Sequence, residues 1–422
     1  MANPWLRGAF LAAYRAALRS VDPCIVTERH LSGSGERLEV GGQTVEAGRG
    51  VRILAVGKAA HGMARGAAAF LSSRLVGGLI ISDHHRPSPH PRLKVIVGDH
   101  PYPGRASLSA GRAALSLAAE GHPDELLLVL VSGGGSSLME VPAPGITFDD
   151  LAAAGRVLVT GGVPIAEMNV VRRHLSSIKN GGITRMAGRR PLATLLISDV
   201  VDGPASAVAS GPTLADGTTP EDARAVLADY RLERRMPSSV TAYLESSRAA
   251  VRPSGRRPHQ VIADGMEAAR GARVELERRG ISAETVTSPV VGDAKAAAGE
   301  ATQKAIADHV HIYWGETTVR IDVSSPGRGG RNQHAALVAA GRLAERGGGV
   351  FGGFATDGVD GESDAAGALV DSGTISRGSA AGLDWREHLR RYDSSSFLAS
   401  SGDLVLTGPT GVNVGDLWLV AG

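Results

Sequence analysis

Apolar residues along this chain gather into short continuous runs that stop abruptly at glycine and polar positions. The clearest is Glu125 to Leu138, ELLLVLVSGGGSSL, where aliphatic residues give way to three glycines and two serines. Such a run reads as a strand buried on both faces of a parallel sheet, with the glycines at its carboxyl end. Leu192 to Ile197 reads as another buried strand, Val51 to Val56, Gly78 to Ser82, Lys94 to Val97 and Ala283 to Val286 as strands, Val350 to Ala355 is a further apolar run, and TGPTGVNVGDLWLV closes the chain with a strand. Between them the period lengthens. Trp5, Phe10, Ala13, Ala17 and Leu18 predict an amphipathic helix over Pro4 to Ser20, and further helices are expected over Ser107–Glu120, Phe148–Thr160, Pro164–Ser177 and Ala294–Ala307, and after Arg331. His311 to Val323, HIYWGETTVRIDV, reads as a hairpin-like pair with Glu316 and Thr317 at its turn. The βαβ alternation predicts an α/β fold built on a doubly wound sheet.

A length of 422 residues exceeds what one core usually serves, so two α/β domains are expected, over 1–250 and 258–422. The boundary is placed late in the Arg-, Ser- and Pro-rich stretch Arg224–Arg257. Aromatic residues make up only 4% of the chain, so Ala, Val, Leu and Ile must fill the interior. A net charge of +2 favours neither a nucleic-acid nor a membrane partner. The single Cys24 excludes an intramolecular disulfide framework and suits a reducing compartment, and the absence of a long apolar run or signal-peptide layout predicts a soluble, cytoplasmic protein. The cations comprise 40 Arg and five Lys. A lysine kept in a loop after a buried strand, as Lys58 is, therefore merits a functional reading.

Open α/β sheets bind ligands at the carboxyl ends of their strands. Ser132, Gly133, Gly134, Gly135, Ser136 and Ser137 occupy such a position, where backbone N–H groups without flanking Cβ atoms and two hydroxyls can approach an anion. The same glycines also suit a simple tight turn. No G-x-x-x-x-G-K-[ST] motif occurs, and Leu138 stands where the third glycine of G-x-G-x-x-G belongs. Lys58, in the Gly57–Lys58 turn, can bring an ammonium to phosphates or simply open a helix. Asp199 and Asp202 follow another buried strand and can hold Mg2+ or accept a hydroxyl proton, or cap a helix. Arg172, Arg173 and Lys179 are expected to be exposed on their helix, facing an acidic ligand or water. Asp83, His84, His85 and His90 match no familiar metal spacing. Arg331, Asn332 and Gln333 stand at the mouth of a glycine-preceded helix, and Asp357 lies in a glycine- and aspartate-rich loop.

The segments VGKAAHGMA, GDHPYP, VSGGGSSLMEVP, EMNVVRRHLSSIKNGG, SDV…ASGPT, GETTV, GGRNQHAAL, TDGVDGESDAAGA and TGPTGVNVGDL, in this order over nearly the whole chain, resemble the two-domain glycerate 2-kinases of the MOFRL type. Some members of that family carry the older label hydroxypyruvate reductase. The resemblance implies a Rossmann-like N-terminal domain, a smaller α/β MOFRL domain and an active site in the cleft between them. It implies ATP and Mg2+ as cofactors, a small hydroxy acid as substrate, and transfer of the γ-phosphoryl group to the 2-hydroxyl of D-glycerate. Residue by residue it implies Lys58, Arg331 and Asp199 as catalytic; Ser132 to Ser137, Glu316 and Thr317 as nucleotide- and phosphate-binding; Arg172, Asn332 and Asp357 as substrate-binding; and Asp199 with Asp202 as metal ligands. A homodimer is compatible with this reading. The kit is chemically sufficient, because phosphoryl transfer needs positioning and charge stabilisation more than covalent help. Several positions depart from the family pattern: the run after Asp199 reads Val200-Val201-Asp202-Gly203-Pro204-Ala205, Trp314 replaces a glycine beside Glu316, Ala355 a glycine before Thr356, and Val412 a threonine. Two other readings follow, an NAD(P)H-dependent hydroxypyruvate reductase and a member that binds nucleotide or metabolite without turnover. The missing dinucleotide fingerprint weighs against the first.

Overall fold

The computed structural model describes residues 4–248 and 257–422. Two compact units emerge, one of residues 23–197 and 203–262, the other of residues 1–22, 198–202 and 263–422. The division is therefore not one cut in the sequence: the first helix and the short stretch Ser198–Asp202 belong with the C-terminal unit. Residues 249–256, on which the expected boundary largely falls, lie outside the described residues.

The first unit is built on strands β1 (Val51–Val56), β2 (Leu75–Ser82), β3 (Leu93–Val97), β4 (Leu126–Val131), β5 (Leu192–Ile197) and β6 (His259–Ala263), in the spatial order 3-2-1-4-5-6. β1 to β5 pair in parallel throughout. Every residue of β4 and β5 is buried, which explains their unbroken apolar sequences. The chain leaves β1 toward one edge and returns to lay β4 on its other side, so a crevice opens beyond the carboxyl ends of β1 and β4. Both the Gly57–Lys58 turn and the glycine loop emerge there. A satellite core, with Ala154, Leu158, Val171, Leu227 and Leu244 at its centre, joins the helices Phe148–Thr160, Ile165–His174, Pro220–Asp229 and Ser238–Ser246.

The second unit carries a mixed seven-stranded sheet of β7 (Ser282–Thr285), β8 (Val290–Asp293), β9 (His309–Thr318), β10 (Val350–Ala355), β11 (Gly367–Asp371), β12 (Leu404–Val405) and β13 (Asp416–Ala421). Its order is 7-9-13-10-11-12, with β8 also pairing along β9. The expected hairpin at His311–Val323 is instead the single strand β9, with Glu316 and Thr317 inside it. The physical reason lies at Gly315. Its φ is +152° and a Cβ there would lie 2.1 Å from the carbonyl oxygen of Val290, so this glycine admits the neighbouring strand rather than making a turn. Strand alternation sorts the aromatics of β10 to opposite faces. Phe351 packs on Trp418 at a ring separation of 5.4 Å, within the alanine-rich core formed by helices Ala294–Gln303 and Arg331–Arg346. Phe354 stacks on Tyr14 of helix Pro4–Ser20 at 4.5 Å. That helix is further held by Arg7, which donates to the buried Asp371 and Asp403 at 2.6 and 2.8 Å.

Two predictions follow from this packing. Gly57 has φ +119°, and a Cβ would lie 2.2 Å from Ser132 Oγ and 2.4 Å from the Ser132 carbonyl oxygen. Gly57→Ala is expected to destabilise the first unit by roughly 2–5 kcal/mol through backbone strain and overpacking, read from urea unfolding. His334, 7% exposed and stacked on Tyr392, has its imidazole pushed down to about 4 by burial. Between that value and its unfolded value the folded state binds fewer protons, so its contribution is complete above pH about 6.5 and is lost as pH falls toward 4. His334→Gln is expected to remove on the order of 2–3 kcal/mol of acid destabilisation, measured as a flatter dependence of unfolding free energy on pH.

Candidate active site

In the first unit the β1 turn and the glycine loop are laced together by the backbone. Ser132 N donates to Val56 O at 2.9 Å, Lys58 N to Gly133 O at 2.9 Å, and Ala59 N to Ser132 Oγ at 3.0 Å. Gly134 adopts the left-handed conformation at φ +82° and starts the single helical turn Gly135–Leu138. A Cβ on Gly134 would lie 3.3 Å from Lys58 Cγ and 3.4 Å from His100 Nε2, so the lysine stem and the imidazole flank the loop. Burial and the nearby Lys58 charge hold His100 below its ordinary value. His100 was missed as a candidate although GDHPYPG follows a strand. Only the fold brings that turn beside the glycines.

The hydroxyls of the loop act differently from their expected role as anion donors. Ser132 is buried and braces the β1 turn, Ser137 Oγ donates to Gly134 O at 3.0 Å, and Ser136 Oγ shares a 3.0 Å hydrogen bond with Ser210 Oγ. The side chains fix the loop's shape; Gly133 and Gly135 are buried within it, and the half-buried Gly134 is the glycine whose backbone is left open to an approaching anion. Beneath it stands Lys179, expected on an exposed helix face but in fact buried. Its ammonium donates to Ser136 O at 3.1 Å and pairs with the buried Glu140, which also accepts from Ser176 Oγ. The helix ends at His174, three residues earlier than expected, and the turn that follows carries Lys179 inward. Arg172 is half-buried on that helix, and burial holds its guanidinium below its ordinary value, while Arg173 is paired with Asp216.

In the second unit Arg331 opens helix Arg331–Arg346. Its Nε and Nη2 donate to the two oxygens of Asp416 at 2.6 and 3.0 Å, and Nη1 donates to Glu316 Oε1 at 2.7 Å. Asp416 is buried at the start of β13, whereas Glu316 is exposed on β9. The forked contact is therefore the anchor and the Glu316 contact the exchangeable one. Burial pushes the Asp416 carboxyl up to about 6, with Arg331 and Asn332 pulling it down, while the two carboxylates hold Arg331 above its ordinary value.

The residue capping this helix is Gly330, which has no side chain, so a carboxylate from elsewhere takes over. Asp360 accepts from Asn332 N at 3.0 Å and Gln333 N at 2.8 Å, and from both of their side-chain amides. Asn332 is fully buried: its amide donates to Asp360 and Asp416, and its oxygen accepts from Trp418 Nε1 at 2.7 Å. With both amide hydrogens donated and its oxygen accepting, Asn332 positions Asp416. Thr317 departs from expectation as well. Successive strand residues face opposite ways, so exposed Glu316 sends Thr317 inward, where its hydroxyl is buried without a hydrogen-bond partner. Trp314 shares the face of Glu316, and its indole is tethered to Val286 O at 3.0 Å.

Asp357 lies just beyond β10, where its Oδ1 accepts from Val359 N at 3.1 Å. Asp199 is half-buried and Asp202 exposed, both in the Ser198–Asp202 stretch of this unit. Among the described residues neither belongs to a cluster of three or more ligating side chains; the one such cluster is Glu284, His309 and His311. Asp83, His84, His85 and His90 form no such group either. Asp360 and Asp416 are the acidic residues that sequence reasoning passed over. The signal available was a carboxylate adjoining an apolar strand, after Gly415 in GDLWLV.

No helix among the described residues is long and apolar enough to cross a membrane. Residues 9–245 match a family described as a domain of unknown function, DUF4147, and residues 309–416 match the MOFRL family. The chain is 33% identical over 418 residues to the glycerate 2-kinase of Pyrococcus horikoshii, spanning 95% of this chain and 94% of that protein. It is 34% identical over 420 residues to an Agrobacterium vitis protein named a putative hydroxypyruvate reductase, spanning 96% and 92%. The crystal structure of a glycerate kinase from Thermotoga maritima matches with a TM-score of 0.88 at 28% identity, covering 99% of this chain and 100% of that one. The motif order, the two α/β units and these full-length likenesses agree: the chain belongs to the MOFRL-type glycerate 2-kinase family.

Proposed function

We propose that this protein is an ATP-dependent glycerate 2-kinase, moving the γ-phosphoryl group of ATP to the 2-hydroxyl of D-glycerate or a closely related 2-hydroxy acid. The observation that carries the proposal is the convergence of Lys58 and the Gly133–Gly135 backbone at the switch point of a parallel sheet, in a chain whose full-length relatives are named as kinases of this acid. A phosphate chain held there meets backbone dipoles and one compact cation, which suits the charge that spreads over the transferring phosphoryl oxygens. Lys179 and Glu140 keep the loop in that shape from below.

Arg331 supplies the second cation. Its contact with exposed Glu316 can give way to a ligand carboxylate while the fork on Asp416 keeps the guanidinium plane fixed. The hydroxyl oxygen of the acid forms a bond to the γ-phosphorus as the bond to the ADP oxygen breaks, and the hydroxyl proton passes to a carboxylate, for which Asp199 is our candidate. Mg2+ commonly takes one or two carboxylates together with phosphate oxygens and water, and the donor set of Asp199 and Asp202 fits that demand without a closed cage. Bound there, the ion would neutralise charge on the phosphates.

The reductase name borne by the Agrobacterium vitis relative rests on no feature of the β1 turn, which is Gly57–Lys58 and not a dinucleotide fingerprint. Coupled ADP release with Mg-ATP against D-glycerate, L-glycerate, hydroxypyruvate, tartronate and four-carbon sugar acids tests the proposal. D-glycerate is expected to react best, and absence of ADP release with every acid, or NADH oxidation with hydroxypyruvate, would overturn it. Lys58→Ala and Arg331→Ala are each expected to lower turnover by about 10²–10³-fold with the circular dichroism unchanged. Asp416→Asn leaves Arg331 in place but loosens its fork. It is expected to raise KM for the acid about tenfold or more while KM for ATP stays near the wild-type value, measured by varying each substrate in turn.

A further inference from the structure

We propose that Glu284, His309 and His311 form a binding site for a borderline divalent transition ion, with Zn2+ the best match, separate from the residues assigned to phosphoryl transfer. One ligand atom from each residue lies within 4.8 Å of the others. The strand register builds the cluster: His309 and His311 stand two apart on one face of β9, and Glu284 on the parallel edge strand β7 is directly opposite His311. His311 Nε2 lies 3.2 Å from Glu284 Oε1. Two ligands bound to one tetrahedral Zn2+ at about 2.0–2.1 Å are about 3.3 Å apart, so this pair already has the spacing that coordination requires. The His309 ring sits edge-on to His311 with centroids 5.1 Å apart, and it is only half-buried, so a small side-chain rotation closes the third position.

One further observation points to a ligand. His309 Nδ1 is 2.8 Å from Ser282 Oγ; when the ring donates, its Nε2 carries the lone pair and the serine orients the imidazole, as the outer partners of zinc-bound histidines do. His311 is 7% exposed, which fixes its ring in place with Nε2 presented to Glu284. Two imidazoles and one carboxylate suit Zn2+, leave a fourth position for water, and suit Mg2+ poorly, since Mg2+ prefers oxygen donors. Along β9, Glu316 is five residues beyond His311, roughly 16 Å away at about 3.3 Å per residue. A bound ion would tie the edge strand β7 to its neighbour and pin an otherwise open sheet edge.

The test uses the full-length protein, stripped with EDTA and dialysed, titrated with zinc sulfate alone by calorimetry. One equivalent is expected to bind saturably and to raise Tm. Glu284→Gln and His309→Ala, both at accessible positions, are each expected to weaken that binding at least tenfold, while a His84→Ala/His85→Ala variant keeps it. Absence of saturable binding, unchanged binding in Glu284→Gln and His309→Ala, or its loss in the His84→Ala/His85→Ala variant would overturn the proposal.

Discussion

The contact between Gly57 and Ser132 is the constraint from which the placement of Lys58 beside the glycine loop follows. Adjacent parallel strands lie under 5 Å apart, and where β1 and β4 end the chain must turn away twice within that spacing. A residue with a side chain at position 57 would occupy the space of the Ser132 backbone. With glycine there, the two turns bond to each other through Lys58 N, Ala59 N and Ser132 Oγ, and the lysine and the glycine loop are held side by side. The crossover that carries the chain to β4 is what makes these two ends neighbours.

The second unit solves a different problem. It places a guanidinium at a helix N-terminus, where the partial positive charge of the helix disfavours a cation. Asp360 satisfies the first free N–H groups of that helix from outside, and Asp416 grips Arg331 from the side. Asn332 bridges the two carboxylates, and Trp418 fixes Asn332. Every member of this buried lattice except Arg331 is turned inward, so the one group left to meet solvent is the cation and its exposed partner Glu316. A buried polar lattice of this kind is costly if one member is removed and specific when complete.

Lysine usage ties sequence to structure in the first unit. In a chain that uses Arg for almost every cation, two of its five lysines flank the glycine loop, Lys58 beside it and Lys179 beneath it. A compact ammonium with a flexible stem fits between backbone carbonyls and a single carboxylate, where a planar guanidinium would need a wider slot. The low lysine content made Lys58 stand out in the sequence. It did not reveal that Lys179 is buried, because the turn after His174 that carries it inward has no periodic signature.

Local sequence determined the elements and their polarity. The runs at Val51–Val56, Leu192–Ile197 and Val350–Ala355 and the helix Phe148–Thr160 are strand or helix for reasons contained within them: aliphatic continuity on one hand, and a threonine cap with a 3.6-residue period on the other. The glycine loop and Lys58 were legible because each directly follows such a strand. Tertiary structure alone decided which residues became partners. Asp360 and Asp416 are far in sequence from the helix they hold, His309 and His311 meet Glu284 only through the register of β7 on β9, and the single strand β9 replaced a hairpin because a parallel neighbour approaches Gly315. Periodicity records which face of an element is buried. It carries no information about which distant carboxylate or carbonyl will lie against that face, since that depends on strand order and register, which are set by packing the whole chain at once.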